Sequence, residues 1–103
     1  MYKRQERAGD AWRVSVELLP CAAAFRDWAS WDGYAEDLVH FESDVSYVDP
    51  DIATCAGWAG KLAADAGQNE RAAIAYRLEA KQWRVLGRLP LAQRAEQSLA
   101  ALG

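Results

Sequence analysis

Residues 58–83 read W-A-G-K-L-A-A-D-A-G-Q-N-E-R-A-A-I-A-Y-R-L-E-A-K-Q-W, and this stretch is the most informative part of the chain. It predicts two short amphipathic helices that fold back on each other around Gly67. Gly60 and the surrounding alanines would let the two backbones approach closely, while Tyr76 and Trp83 supply bulk at helical spacing. Hairpins of this kind usually bind other proteins, so the stretch favours an interaction role over chemistry.

Composition indicates one small domain spanning residues 1–103. With 51% hydrophobic and 26% charged residues, a chain of this length can bury one modest core. The net charge of −3 argues against general nucleic-acid binding, which calls for a basic domain. No apolar run reaches the roughly 18 residues of a membrane helix. We therefore expect a cytoplasmic protein that binds neither nucleic acid nor membrane.

Breaker residues divide the rest of the chain into further helices. Pro20 predicts the end of one helix and the start of another, although alternating polar residues leave 10–19 open to helix or strand. Trp31-Asp32-Gly33 predicts a turn, followed by a periodic helix up to Val48. Asp49-Pro50-Asp51 predicts the start of the next helix. Beyond a break at 87–90, a last helix is expected over 90–102.

An internal repeat follows from this division. Cys21 and Gly33 map onto Cys55 and Gly67 with an offset of 34 residues, and Leu38 and its neighbours map onto the second hairpin with an offset of 35. Periods of this size are typical of helix-hairpin solenoids.

The chain resembles the tetratricopeptide repeat family through its second hairpin. Gly60 stands at the glycine of the first helix, Gly67 at the turn, Ala72 at the tightly packed start of the second helix and Tyr76 at its buried aromatic. The first hairpin departs from the pattern, for example with Phe25 where the small glycine is expected. The resemblance implies an all-α fold of two antiparallel hairpins, at 20–48 and 50–87, plus a C-terminal capping helix and an N-terminal helical or irregular segment.

The same resemblance implies that a peptide or a helix of a partner binds along a surface lined by first helices. On this chain that surface would draw on Trp28, Trp31, Trp58, Lys61, Leu62 and Asp65. An alternative function is a small-molecule-binding helical bundle with a tryptophan-lined apolar pocket, since such pockets form between helices.

Charge is unevenly placed along the chain. Eight acidic residues and no Lys or Arg occur from Asp27 to Gly60, whereas six basic residues and the single acid Glu79 occur from Arg71 to Arg94. Spacings of four, three and four put Arg77, Lys81, Arg84 and Arg88 on one face of a helix. This stripe predicts a salt-sensitive self-association surface, with homo-oligomers joined through acidic and basic ends.

Residues that could support chemistry are few. His40 lies four residues from both Glu36 and Asp44, but we expect it to be an exposed side chain, and we predict no catalytic residue, metal or cofactor. Cys21 and Cys55 are expected to be buried thiols, with a disulfide left open. The opening Met-Tyr-Lys-Arg-Gln resembles a translated adapter of metagenomic reading frames. This resemblance predicts that residues 1–9 are disordered or non-native, and it leaves open the alternative that the chain is a fragment of a longer protein.

Overall fold

The structure is a computed structural model that describes residues 3–41 and 49–102, with side chains placed at 14–38 and 49–102. Within these ranges the chain forms five α-helices and no strand, so the all-α fold class is confirmed. Their bounds are Lys3–Ala24 for α1, Trp28–Phe41 for α2, Pro50–Asp65 for α3, Asn69–Val85 for α4 and Leu89–Ala101 for α5. Helix α1 packs against α2 and α3, α3 packs against α4, and α4 packs against α5.

Three short turns of one geometry connect these helices. In each turn the second residue has a positive φ, at Arg26 (56°), Gly67 (79°) and Gly87 (77°). The amide after it donates back to the carbonyl five residues earlier, as from Gln68 to Ala63 at 2.8 Å. This hydrogen bond satisfies a carbonyl that the end of the helix would otherwise leave without a partner. The chain therefore reverses three times by the same local device.

The second hairpin agrees with the sequence-based expectation. Asp49 caps α3 by accepting a hydrogen bond from the amide of Asp51 at 2.7 Å, and Pro50 occupies the first turn. Gly67 lies in the turn, and Ala72, Tyr76, Ala80 and Trp83 of α4 are buried. The last helix begins one residue before the expected range, at Leu89, and ends at Ala101.

The first hairpin turns at a different place from the one expected. Helix α1 continues through Pro20 to Ala24, which corrects both the predicted break at this proline and the strand alternative for 10–19. Val16 and Leu19 are fully buried with Pro20, and this packing outweighs the backbone hydrogen bond that a proline cannot donate. The residues expected in a turn, Trp31-Asp32-Gly33, lie inside α2 instead.

The actual first turn spans residues 25–27. Asp27 caps α2 through two hydrogen bonds from Ser30, one from its amide at 3.2 Å and one from its hydroxyl at 2.7 Å. Since Arg26 stands where Gly67 stands in the second hairpin, the hairpins are related by a shift of 41 residues. The predicted offset of 34 to 35 is therefore wrong.

The expected segment boundaries change accordingly. The range 20–48 assigned to the first hairpin holds the end of α1, the turn and α2, and residues 42–48 lie outside the described residues. Residues 3–9, expected to be disordered or non-native, belong to α1. Lys, Arg, Gln, Glu and Ala in this segment are strong helix formers.

Small residues of α3 set how closely the second hairpin packs. Ala53, Ala56, Ala59 and Ala63 have no exposed surface, and Gly60 is also buried. A Cβ atom at Gly60 would lie 2.7 Å from Cε1 of Tyr76, so the ring occupies the space that a side chain would fill. Gly60 was expected to let the two backbones approach closely, and the structure shows instead that the Tyr76 ring packs into the space at this glycine.

Candidate functional site

A surface groove of about 480 Å³ lies between α3 and α5, with α4 as its floor. Trp58 and Lys61 line the α3 wall, and Leu91 and Arg94 line the α5 wall. The lining residues of α3 and α5 fall on successive turns of each helix, at 54, 57–58 and 61 and at 91, 94–95 and 98, so each helix turns one face toward the groove. The groove is lined by Thr54, Gly57, Trp58, Lys61, Tyr76, Glu79, Trp83, Leu91, Arg94, Ala95 and Ser98.

Trp58 is the exposed aromatic residue of this groove. Trp58 is 58% exposed, whereas Trp83 on the floor of the groove is 9% exposed. A large apolar ring exposed beside a concavity is a common anchor for a bound partner. The wall of α3 therefore offers contact area that the fold itself does not use.

Glu79 places a carboxylate at the floor of the groove. The carboxylate lies against α3 at Gly57, where an added Cβ atom would be 2.6 Å from Glu79 Oε2. Trp83 donates its indole N–H to the same oxygen at 3.0 Å. Partial burial raises the pKa of Glu79, while the Trp83 hydrogen bond and the charge of Arg94 oppose that rise. The site therefore contains a negative charge that is only partly compensated.

Tyr76 forms the floor beside Glu79. The ring is packed against Gly60, and burial raises the pKa of the Tyr76 phenol, helped by the nearby charges of Glu79 and Asp65. The phenol is consequently neutral around pH 7, and its ring adds aromatic surface to the groove.

Only part of the predicted partner surface meets at this groove. Trp58 and Lys61 lie in it, whereas Asp65 is exposed at the end of α3 and Leu62 packs against the core. Trp31 is fully buried, which places it in the core and away from any surface that a partner reaches.

Trp28 joins the two hairpins. The guanidinium of Arg71 on α4 lies 5.4 Å from the centre of the Trp28 ring. The same guanidinium donates two hydrogen bonds of 2.7 Å to the carboxylate of Asp32 on α2. Trp28 therefore makes a contact within the chain, and only part of its half-buried ring is accessible to a partner.

The predicted basic stripe is exposed at Arg77, Lys81, Arg84 and Arg88. Arg84 forms an ion pair with Glu96 of α5, so part of the charge of the stripe is already compensated within the chain. Self-association through this stripe and the acidic region stays a prediction.

Most residues of the groove were not among the predicted site residues, and four of them matter for its shape and charge. These are Gly57, Tyr76 and Glu79, which meet between α3 and α4, and Arg94 of α5. Glu79 carried a usable signal in the sequence, because it is the single acid between residues 71 and 94 and lies three residues after Tyr76 and four before Trp83. An acid at that spacing on a buried stripe indicates a special environment.

Other candidate chemistry is limited in the part of the chain that the structure describes. The side chains of His40 and Asp44 lie outside it, so their predicted proximity is not described. Among the described residues no group of three or more His, Cys, Asp or Glu side chains could hold a metal ion, and no helix is both long and apolar enough to cross a membrane.

The cysteines differ from each other in environment. Cys55 is half-buried against the core, but Cys21 is exposed. Both thiols were expected to be buried, and this expectation is wrong for Cys21. In the described structure the two thiols do not pair in a disulfide. Position 21 lies near the end of α1, outside the stripe that contains Val16 and Leu19.

A scan against protein-family models, a search of curated proteins and a search of solved structures each find no match for this chain.

Proposed function

We propose that this chain is a protein-interaction module of the helical-repeat type that binds a peptide or a helix of a partner in the groove between α3 and α5. The observation that carries the proposal is the exposed Trp58 ring on the wall of a groove of about 480 Å³. The proposal includes a cytoplasmic location and no catalytic role.

The arrangement of helices supports a repeat architecture. Helix α1 packs against both α2 and α3, α3 packs against α4, and α4 packs against α5. The groove fits this arrangement, because α3 and α5 form its walls and α4, which lies between them in the sequence, forms its floor. The proposed likeness to tetratricopeptide repeats rests on the second hairpin, where Gly60 faces Tyr76 and Gly67 turns the chain.

Trp58 is the residue on which binding should depend most. Truncation of a central aromatic anchor commonly costs about 2 kcal/mol or more of binding free energy, which is roughly 30-fold in affinity. Lys61 lies one turn further along α3 and adds charge at the edge of the groove. Its loss should matter less, because an exposed charge is screened by salt.

A peptide array tests the proposal. Peptides that bind the wild-type protein are measured again by calorimetry with Trp58→Ala and with Phe25→Ala, a matched control that removes an aromatic ring 85% exposed outside the groove. We expect Trp58→Ala to weaken binding at least about tenfold and Phe25→Ala to leave it within about twofold. The proposal fails if no peptide binds, or if both variants bind as the wild type does.

A small-molecule ligand is the second candidate. The groove volume of about 480 Å³ falls within the range of ligand pockets, and three aromatic residues line it. Nuclear magnetic resonance titration with a fragment library separates the candidates. Saturable shifts at Trp58 and Tyr76 with a fragment, together with no binding on the peptide array, would favour the small-molecule role.

A further inference from the structure

The carboxylate of Glu79 lacks a full set of partners inside the protein. Among the described residues, Trp83 alone donates a hydrogen bond to it, and no Lys or Arg nitrogen lies within ion-pair distance. An ionised carboxylate can accept about four hydrogen bonds, and partial burial deprives it of water. Glu79 is therefore poised to gain from a cation that enters the groove.

Gly57 makes room for this carboxylate, which fills the space that a side chain at position 57 would take. The absence of a side chain there lets the Glu79 carboxylate rest against the backbone of α3. The surrounding surface is aromatic, with Trp58 on the wall and Tyr76 and Trp83 on the floor. Guanidinium and ammonium groups combine ion pairing with favourable stacking on such rings.

The walls of the groove carry the opposite charge. Lys61 on α3 and Arg94 on α5 are both exposed, and both line the groove that contains Glu79. At the exposed edge these charges are screened, so their repulsion of an entering cation is weaker than the attraction of the sheltered carboxylate. They would in turn attract acidic groups on either side of that cation.

We propose that the groove recognises a peptide segment in which one Arg or Lys side chain lies between acidic residues. The basic side chain pairs with Glu79 against the aromatic floor, and the flanking carboxylates meet Lys61 and Arg94. This inference rests on the proposed peptide-binding function and names the chemistry of its ligand.

Two synthetic peptides test this pairing. The first is acetylated and amidated Ala-Asp-Ala-Arg-Ala-Asp-Ala, and the second carries citrulline, a neutral analogue of nearly the same shape, in place of the arginine. Calorimetry with the wild-type protein should show at least about tenfold tighter binding of the arginine peptide, because citrulline keeps N–H donors but lacks the positive charge that pairs with Glu79.

Two glutamate variants identify the group responsible. Glu79→Gln removes the charge but keeps an oxygen that accepts from Trp83, whereas Glu70→Gln removes the same charge from an exposed site at the start of α4, outside the groove. We expect the first to abolish the preference for arginine and the second to preserve it. An equal loss in both variants would overturn the assignment to Glu79.

The outcomes separate this inference from the proposed function. Array peptides that depend on Trp58 but show no preference for arginine over citrulline would overturn the inference and leave the peptide-binding proposal standing. The inference also fails if neither synthetic peptide binds while array peptides do. If no peptide of any kind binds, both proposals fail together.

Gly57→Ala gives an independent test. The added Cβ atom would lie within 2.6 Å of Glu79 Oε2, so the flexible carboxylate must move out of its position. We expect the variant to fold as the wild type does. Its preference for the arginine peptide over the citrulline peptide should be at least about sixfold smaller than that of the wild type, which corresponds to roughly 1 kcal/mol. Retention of the full preference would contradict the proposed position of the charge.

Discussion

The hairpin of α1 and α2 and the hairpin of α3 and α4 share the same turn but fill their interfaces in opposite ways. Aligned on their turns by the shift of 41 residues, Leu19 corresponds to Gly60 and Ala35 corresponds to Tyr76. The first hairpin therefore carries the larger side chain on its first helix, and the second carries it on its second helix. All four residues are buried.

The same alignment also compares the positions one helical turn away from these residues. Val16 and Leu38 of the first hairpin are 0% and 4% exposed, and their counterparts in the second hairpin are Gly57 and Glu79. An apolar pair in one hairpin is thus replaced by a glycine and a carboxylate in the other. A partly buried carboxylate costs stability unless it is paired, so packing alone gives no reason for this replacement, whereas the proposed binding role would supply one.

The largest effect is expected in the core of the first hairpin. Trp31 has no exposed surface, so Trp31→Ala should lower the free energy of unfolding by about 3–5 kcal/mol. Urea denaturation followed by circular dichroism measures this loss. The matched change at the groove, Trp58→Ala, should cost less than about 0.5 kcal/mol, since that ring is mostly exposed. Equal losses would contradict the placement of the two rings.

A smaller contrast is expected between two glycines of α3. Gly60→Ala should lower the free energy of unfolding by about 1–2 kcal/mol, because the new methyl group meets the buried ring of Tyr76 at 2.7 Å. Gly57→Ala should be neutral or stabilise by up to about 1 kcal/mol, because alanine favours the helix and the Glu79 carboxylate can rotate away. Thermal and urea unfolding of both variants check the contrast, which disappears if the two changes have the same sign and size.

The turns provide a third contrast, between Arg26 and Gly67. A positive φ costs a side-chain-bearing residue about 1–2 kcal/mol, and glycine avoids most of that cost. We therefore expect Arg26→Gly to raise the free energy of unfolding by about 0.5–1 kcal/mol and Gly67→Ala to lower it by about 1 kcal/mol. For a domain of this size the melting temperatures should shift by about 4–8 °C per kcal/mol. A destabilised Arg26→Gly variant would show that the arginine side chain makes a contact worth more than the strain.

These contrasts explain which parts of the fold the sequence predicts. The second hairpin is readable because Asp49, Pro50 and Gly67 mark the ends of its helices with residues suited to those positions. The first is misread because its strongest breakers, Pro20 and Gly33, lie inside helices. Tertiary packing overrides local propensity there, and the turn itself uses an arginine.

The groove is predictable only in part for a related reason. Trp58 and Lys61, both on α3, were expected from the partner-binding surface that the resemblance to tetratricopeptide repeats implies, and both lie in the groove. Glu79 and Arg94 become neighbours of this pair only when α4 and α5 are packed against α3, and no local pattern encodes that arrangement. Some residues of the site can thus be identified from one helix, but the balance of charges in the groove depends on how three helices pack together.

The smallest effect concerns the pH dependence of two carboxylates. Burial raises the pKa of Glu79, so the charged carboxylate lowers the free energy of unfolding at pH values above its folded pKa. This loss shrinks as the pH falls through the folded pKa, and it is gone below the unfolded pKa. Hydrogen bonds from Arg71 lower the pKa of Asp32, so its contribution is present above its unfolded pKa and is lost as the pH falls through the folded pKa. Relative to the wild type at pH 7, Glu79→Gln should therefore be more stable and Asp32→Asn less stable, each by less than about 1 kcal/mol because both sites retain contact with water. Urea unfolding across the acid range should show both differences shrinking as the carboxylates become protonated, and differences of the same sign at pH 7 would contradict the opposite environments of the two groups.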